Sequence, residues 1–387
     1  MSKYVLLISL VFSMLGCSTF ESMNAKLEEM TAAKSGEKRV FAVNKAWVRQ
    51  TTAKDNLGFR KINRMTPVIV GDLVLQGNGL DGIGAYDKDS GQLKWKLPVV
   101  NGVEPSATAI RDRLFFGASD GLFYSVSSSK GQVEWTFPTK TENLSEPLLD
   151  EGVVYFLAGN NVFYALDAAT GRQIWLYSRQ DTSQFSIRGG SKPALRNGIL
   201  YVGFSDGSLV ALSAKTGSVQ WELQLNRSKR FRDIDATPVV DGDNIYVAGY
   251  DDKLYCVSAD KGEIIWRIDG GGYSAVTVVG DKLLYPTTSG EVMALKKSNG
   301  EKIWSFPVSE GIATQVKVMK GIAVFGESQG RLQFLDINTG KLIGGMEPGR
   351  GILSAPQVDE KNNRVYFISG EANLYAIEAA WQKPAAF

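Results

Sequence analysis

The chain has 387 residues, 44% hydrophobic and 22% charged, the balance of a globular protein with a sizeable core, and this excludes disorder over its bulk. Lys and Arg number 43 against 41 Asp and Glu, so the net charge of +2 argues against a nucleic-acid binder. Histidine is absent, which removes Ser-His-Asp and Cys-His catalysis, His-based proton transfer and His-ligated zinc together.

The first element is an export signal over residues 1–16. Lys3 gives a short positive region, and Tyr4 to Leu15 is an apolar run too short to span a bilayer comfortably. Gly16-Cys17-Ser18 follows and resembles the lipobox of bacterial lipoproteins, which implies lipidation at Cys17. Ser18 rather than Asp after that Cys leads to the expectation of outer-membrane anchoring. Residues 17–39 are polar and charged and form a tether. As a flexible coil of about 22 residues it would hold the body roughly 25 Å from the membrane. Cys256, in the strand-like run Leu254 to Val257, is then alone in the mature chain and is expected to be a buried, inert thiol.

From residue 40 to 387 the chain repeats one phrase: a polar residue, Gly, three variable residues and Trp. Copies run from Gly91 to Trp95, Gly131 to Trp135, Gly171 to Trp175, Gly217 to Trp221, Gly262 to Trp266 and Gly300 to Trp304, and a seventh begins at Gly340 and has Gly344 in place of Trp. A fixed spacing of 38 to 46 residues signals a repeat architecture. Each unit carries a β-hairpin pattern: Asp72 to Tyr86, Asp112 to Val126, Gly152 to Leu166, Gly198 to Leu212, Asn244 to Val257, Asp281 to Leu295, Gly321 to Leu335 and Arg364 to Ile377. With an entry strand before the hairpin and a Trp-bearing strand after it, each unit is a four-stranded propeller blade. The expected fold is therefore all-β, a single eight-bladed β-propeller of four-stranded antiparallel blades. The eighth hairpin lacks its own last strand, and the strand around Trp47 lacks a hairpin, so pairing the N- and C-terminal strands closes the ring. The repeated Gly is expected at positive φ in a turn, and the Trp is expected to wedge between blades.

The phrase from Leu166 to Trp175 resembles the tryptophan-docking repeat of the pyrroloquinoline-quinone dehydrogenase superfamily. An enzyme of that kind would need a calcium site, a catalytic Asp and, in many members, an adjacent-cysteine pair. No such pair is present. The stretch Asp241 to Asn244 starts like a calcium loop, but Tyr246 stands where an EF-hand needs Gly, and a hairpin turn fits better. Gly270 to Gly272 lacks the Lys-Ser/Thr and helix of a phosphate cradle and is a loop between blades. No metal or cofactor is expected.

The period breaks at two neighbouring intervals. The distance from Trp to the next entry Pro is 10 for Trp95 to Pro105 and 12 for Trp135 to Pro147, but 18 for Trp175 to Pro193 and 17 for Trp221 to Pro238. Insertions at one topological point must emerge side by side on one face, where binding is usually placed. The first contains Arg179, Asp181, Phe185, Ile187 and Arg188; the second contains a run of Arg and Lys followed by Asp233-Ile234-Asp235. Arg with apolar groups is the composition of protein interfaces.

These segments, with the lipoprotein start, resemble the BamB family of the outer-membrane β-barrel assembly machinery over the whole chain. The resemblance implies a non-enzymatic scaffold on the periplasmic face of the outer membrane. It further implies that Phe185, Ile187, Arg188, Asp233 and Asp235 engage the POTRA domains of the central barrel subunit, BamA; guidance of unfolded barrel substrates by the remaining face is a hypothesis added to it. The family's first apolar position is expected to be Leu, where this chain has Phe185. A degenerate quinoprotein dehydrogenase and a periplasmic carbohydrate-binding or sensor propeller are the alternatives.

Overall fold

A computed structural model describes residues 39–52, 63–179, 190–226, 233–249 and 253–384. Within them, 32 strands form eight four-stranded antiparallel sheets, seven built from consecutive strands. The eighth takes its three inner strands from the C-terminal end and its outermost, Val40–Gln50, from the N-terminal end, paired from Val40 opposite Gln382 to Gln50 opposite Asn373 with one register shift between Lys45 and Trp47. This is the expected eight-bladed propeller with its expected closure. Blades are numbered 1 to 8 from the sheet that begins at Val68.

Burial follows from position in the blade. The two middle strands are covered on both faces by neighbouring blades and are continuously apolar; Leu114, Phe115 and Phe116 are all inaccessible. The outer strands have one covered face and alternate, as in Val133–Pro138, where Val133 is exposed and Trp135 is half-buried.

The Gly and Trp of the repeated phrase belong to different contacts. Each Trp lies over the Gly of the next blade: Trp47 over Gly91, Trp95 over Gly131, Trp135 over Gly171, and so on to Trp304 over Gly340. A Cβ on any of these seven glycines would come within 2.5–2.9 Å of the ring, and all seven have φ between 67° and 73°. Glycine is thus required both by the backbone and by the ring above it. Six of the seven indoles also donate Nε1–H to a carbonyl in the next blade's turn, at 2.9–3.2 Å.

A register shift beside each phrase sets the Trp opposite a small residue on its own sheet. The partners are Ala85, Ser125, Ala165, Ala211, Cys256, Ala294 and, for Trp47, Ala376. Cys256 is therefore the small member of a Trp pair, fully buried, its thiol pushed up to about 12 by desolvation. In blade 7 the volumes exchange: Gly344 stands opposite Phe334. The Phe41 ring from blade 8 lies 5.3 Å from Phe334 and covers Gly344. The seam between blades 7 and 8 is filled by Phe41 and Phe334 in place of a tryptophan.

Asp or Ser opens most of these turns. Asp87 accepts from the backbone N–H groups of Asp89 and Ser90 and from the Ser90 hydroxyl, at 2.9–3.2 Å, which holds its carboxyl down at about 2. Asp167 with Thr170 and Asp336 with Thr339 repeat the arrangement. Asp241 to Asn244 forms the expected tight turn, with Gly242 at φ 58°.

Candidate docking face

Every connection from an outer strand to the next inner strand lies on one face, because the outer strands all run from the Gly-turn side to the opposite side. The two insertions are on this face, in the adjacent connections between blades 3 and 4 and between blades 4 and 5. Phe185, Ile187 and Arg188 lie outside the described residues, as does Cys17. The feet of both insertions are described.

Arg179 fixes the start of the first. Its backbone N–H donates to Asn161 O at 3.1 Å, and its guanidinium grips Glu222 of blade 4 with two bonds of 2.9 and 2.6 Å. An ion pair to Asp206 and the Phe204 ring beneath complete the clamp, and these partners, Glu222 foremost, raise the pKa of Arg179. The end is fixed by Gly190, where a Cβ would lie 2.6 Å from the Ser145 backbone nitrogen. Ser145 Oγ then donates to Ser191 O at 3.1 Å and Ser191 Oγ to Ala236 O at 3.4 Å, tying three successive connections together.

In the second insertion Ile234 is a peg. It is fully buried in the cluster between blades 4 and 5, and its N–H donates to Phe204 O at 3.1 Å. Gly203 makes room for it: a Cβ there would lie 2.3 Å from Ile234 O. The two flanking carboxylates consequently have different settings. Asp233 is fully buried, whereas Asp235 is half-buried. Desolvation and then the Asp233 carboxylate push the Asp235 pKa well above the usual range, and Arg64 opposes them.

Arg64, which the spacing of the two insertions does not point to, is near enough to Asp235 to favour its charged form. It belongs to the connection from blade 8 to blade 1, where Trp47 and Pro67 are 20 residues apart, more than in either insertion recognised from the sequence. No complete Gly-to-Trp phrase ends at Trp47, so the repeat spacing does not cover this interval. One baseline value also changes: Ala107, not Pro105, stands at the entry position of blade 2, so that interval is 12. Among the described residues no three of Cys, Asp or Glu are placed to hold a metal ion.

Eight blades, docked Trp over Gly at seven of their eight seams and joined by connections that are longest on one face, define a tryptophan-docked β-propeller. Comparison with known proteins narrows the class. Residues 80–306 match the family described as outer membrane protein assembly factor BamB. The BamB of Shewanella oneidensis is 26% identical, over 97% of this chain and 98% of that one. The crystal structure of BamB from Moraxella catarrhalis superposes with a TM-score of 0.72 at 20% identity, covering 87% of this chain and 100% of that one. A europium-containing methanol dehydrogenase gives the same TM-score at 13% identity, with 87% and 93% covered, a likeness of fold alone. The chain belongs to the outer membrane protein assembly factor BamB family.

Proposed function

We propose that the protein is a non-enzymatic scaffold of the outer-membrane β-barrel assembly machinery, tethered through lipid on Cys17 to the periplasmic face of the outer membrane. Its two adjacent insertions dock the POTRA domains of the central barrel subunit, BamA. Phe185 and Ile187 supply apolar contact, Arg188 pairs with a carboxylate, and Asp235 receives a cation. Asp233, being buried, shapes the segment around Ile234. The outer strands, each paired on one edge only, carry exposed side chains such as Ile174 and Leu176 and guide unfolded barrel strands by edge pairing.

The observation that carries this reading is that separate clamps fix the feet of two neighbouring insertions on one face, by Arg179 and Gly190 for the first and by Ile234 for the second. The strand Val40–Gln50 starts on the opposite face, so the tether leaves from the side away from the docking loops. Affinity for purified POTRA domains tests the reading. Ile187→Ala, Arg188→Ala and Asp235→Lys should each weaken binding at least tenfold, a loss of about 1.4 kcal/mol. Lys341→Ala, on the opposite face, should leave it unchanged. Equal affinity for all four variants would remove the docking surface from this position.

A further inference from the structure

The inner strands of blades 3, 4 and 7 bring three charged side chains to the central axis. Glu146 and Lys192 occupy equivalent positions, each just before the proline that opens its inner strand, and they form an ion pair between adjacent blades with about 30% of each side chain exposed. At the same level the other six blades have Thr66, Ser106, Thr237, Gln315 and two alanines, so no second carboxylate is present in this ring. Lys317 enters from blade 7, which faces blade 3 across the axis, two residues beyond Gln315 and therefore on the same side of its strand.

Lys317 has no carboxylate partner among the described residues; its Nζ donates to Gln315 Oε1 at 2.9 Å. An ammonium has three donors, so two remain. Burial lowers its pKa, while Glu146 supports the charge and Lys192 opposes it, which brings all three groups within electrostatic reach of one another. Two cations against one carboxylate, all three only partly exposed, leave a net positive charge that an anion joining the two ammonium groups would offset.

We infer that the axial channel binds a small tetrahedral oxyanion of the phosphate class between Lys192 and Lys317. Each ammonium donates to a different oxygen of the anion, while Glu146 keeps Lys192 oriented and Gln315 keeps Lys317 oriented. The inference is independent of the docking reading.

The test uses the full-length chain purified in detergent, with inorganic phosphate as the probe at pH 7. Equilibrium dialysis should show one phosphate bound per chain, and the melting midpoint should rise with phosphate relative to sodium chloride of equal ionic strength. Lys317→Gln and Lys192→Gln should each reduce phosphate affinity at least tenfold, while Lys341→Gln should not. No bound phosphate in the unsubstituted chain would overturn the inference. So would binding that survives both channel substitutions, the mark of an adventitious ion elsewhere.

Discussion

At the residue scale, the repeated phrase is a contact between blades distributed over two of them. The Gly at positive φ and the large flat Trp were both legible in sequence, because a period of about 40 residues repeats them. Which Gly each Trp covers was not legible, since the partner lies one repeat away. The small residue opposite each Trp was hidden too, because Ala85, Ser125, Ala211 and Cys256 have no common chemistry beyond size. Blade 7 shows the rule by exchange, with Phe334 and Gly344 in place of a small residue and Trp. Gly344→Trp should therefore destabilise the protein by about 1–3 kcal/mol through overpacking against Phe41 and Phe334. Adding Phe334→Ala should recover part of that loss. Urea unfolding of the two single variants and the double variant checks this, and strict additivity would show that the pair does not share one volume.

At the scale of elements, the hairpins were recovered from alternating and branched apolar residues, and all eight lie where their turn signals place them. The insertions are legible from spacing, which needs a complete phrase on either side, and the connection between blades 8 and 1 has none before it. The contrast between Asp233, fully buried, and Asp235, half-buried, could not be read at all, because it depends on Ile234 being drawn into the core beside Gly203, a contact between distant segments. Ile234→Ala should cost about 2–5 kcal/mol as a buried truncation. It should also weaken binding to POTRA domains although Ile234 itself is buried. Melting and binding measured on the same preparation distinguish the outcomes, and unchanged docking would show that the peg does not shape the surface.

At the scale of the whole molecule, closure joins residues more than 300 positions apart, Val40 with Gln382, and leaves the sheet ring without an interrupted blade. The closure was legible as arithmetic, one hairpin short of a strand and one strand short of a hairpin. The channel charges were not, because Glu146, Lys192 and Lys317 come from three blades and sit at three-residue inner strands too short to show a period. On the proposed reading the molecule has two functional sides: the Gly-turn face, where the strand Val40–Gln50 begins, and the opposite face, where the feet of the two insertions are fixed. Site-specific photocrosslinking in intact cells tests this most directly, with the probe at position 188 or 235 and, as reference, at 341 on the opposite face. The account predicts adducts with the central barrel subunit from 188 and 235 and none from 341. Adducts from 341 alone, or none from 188 and 235 in correctly anchored protein, would contradict it.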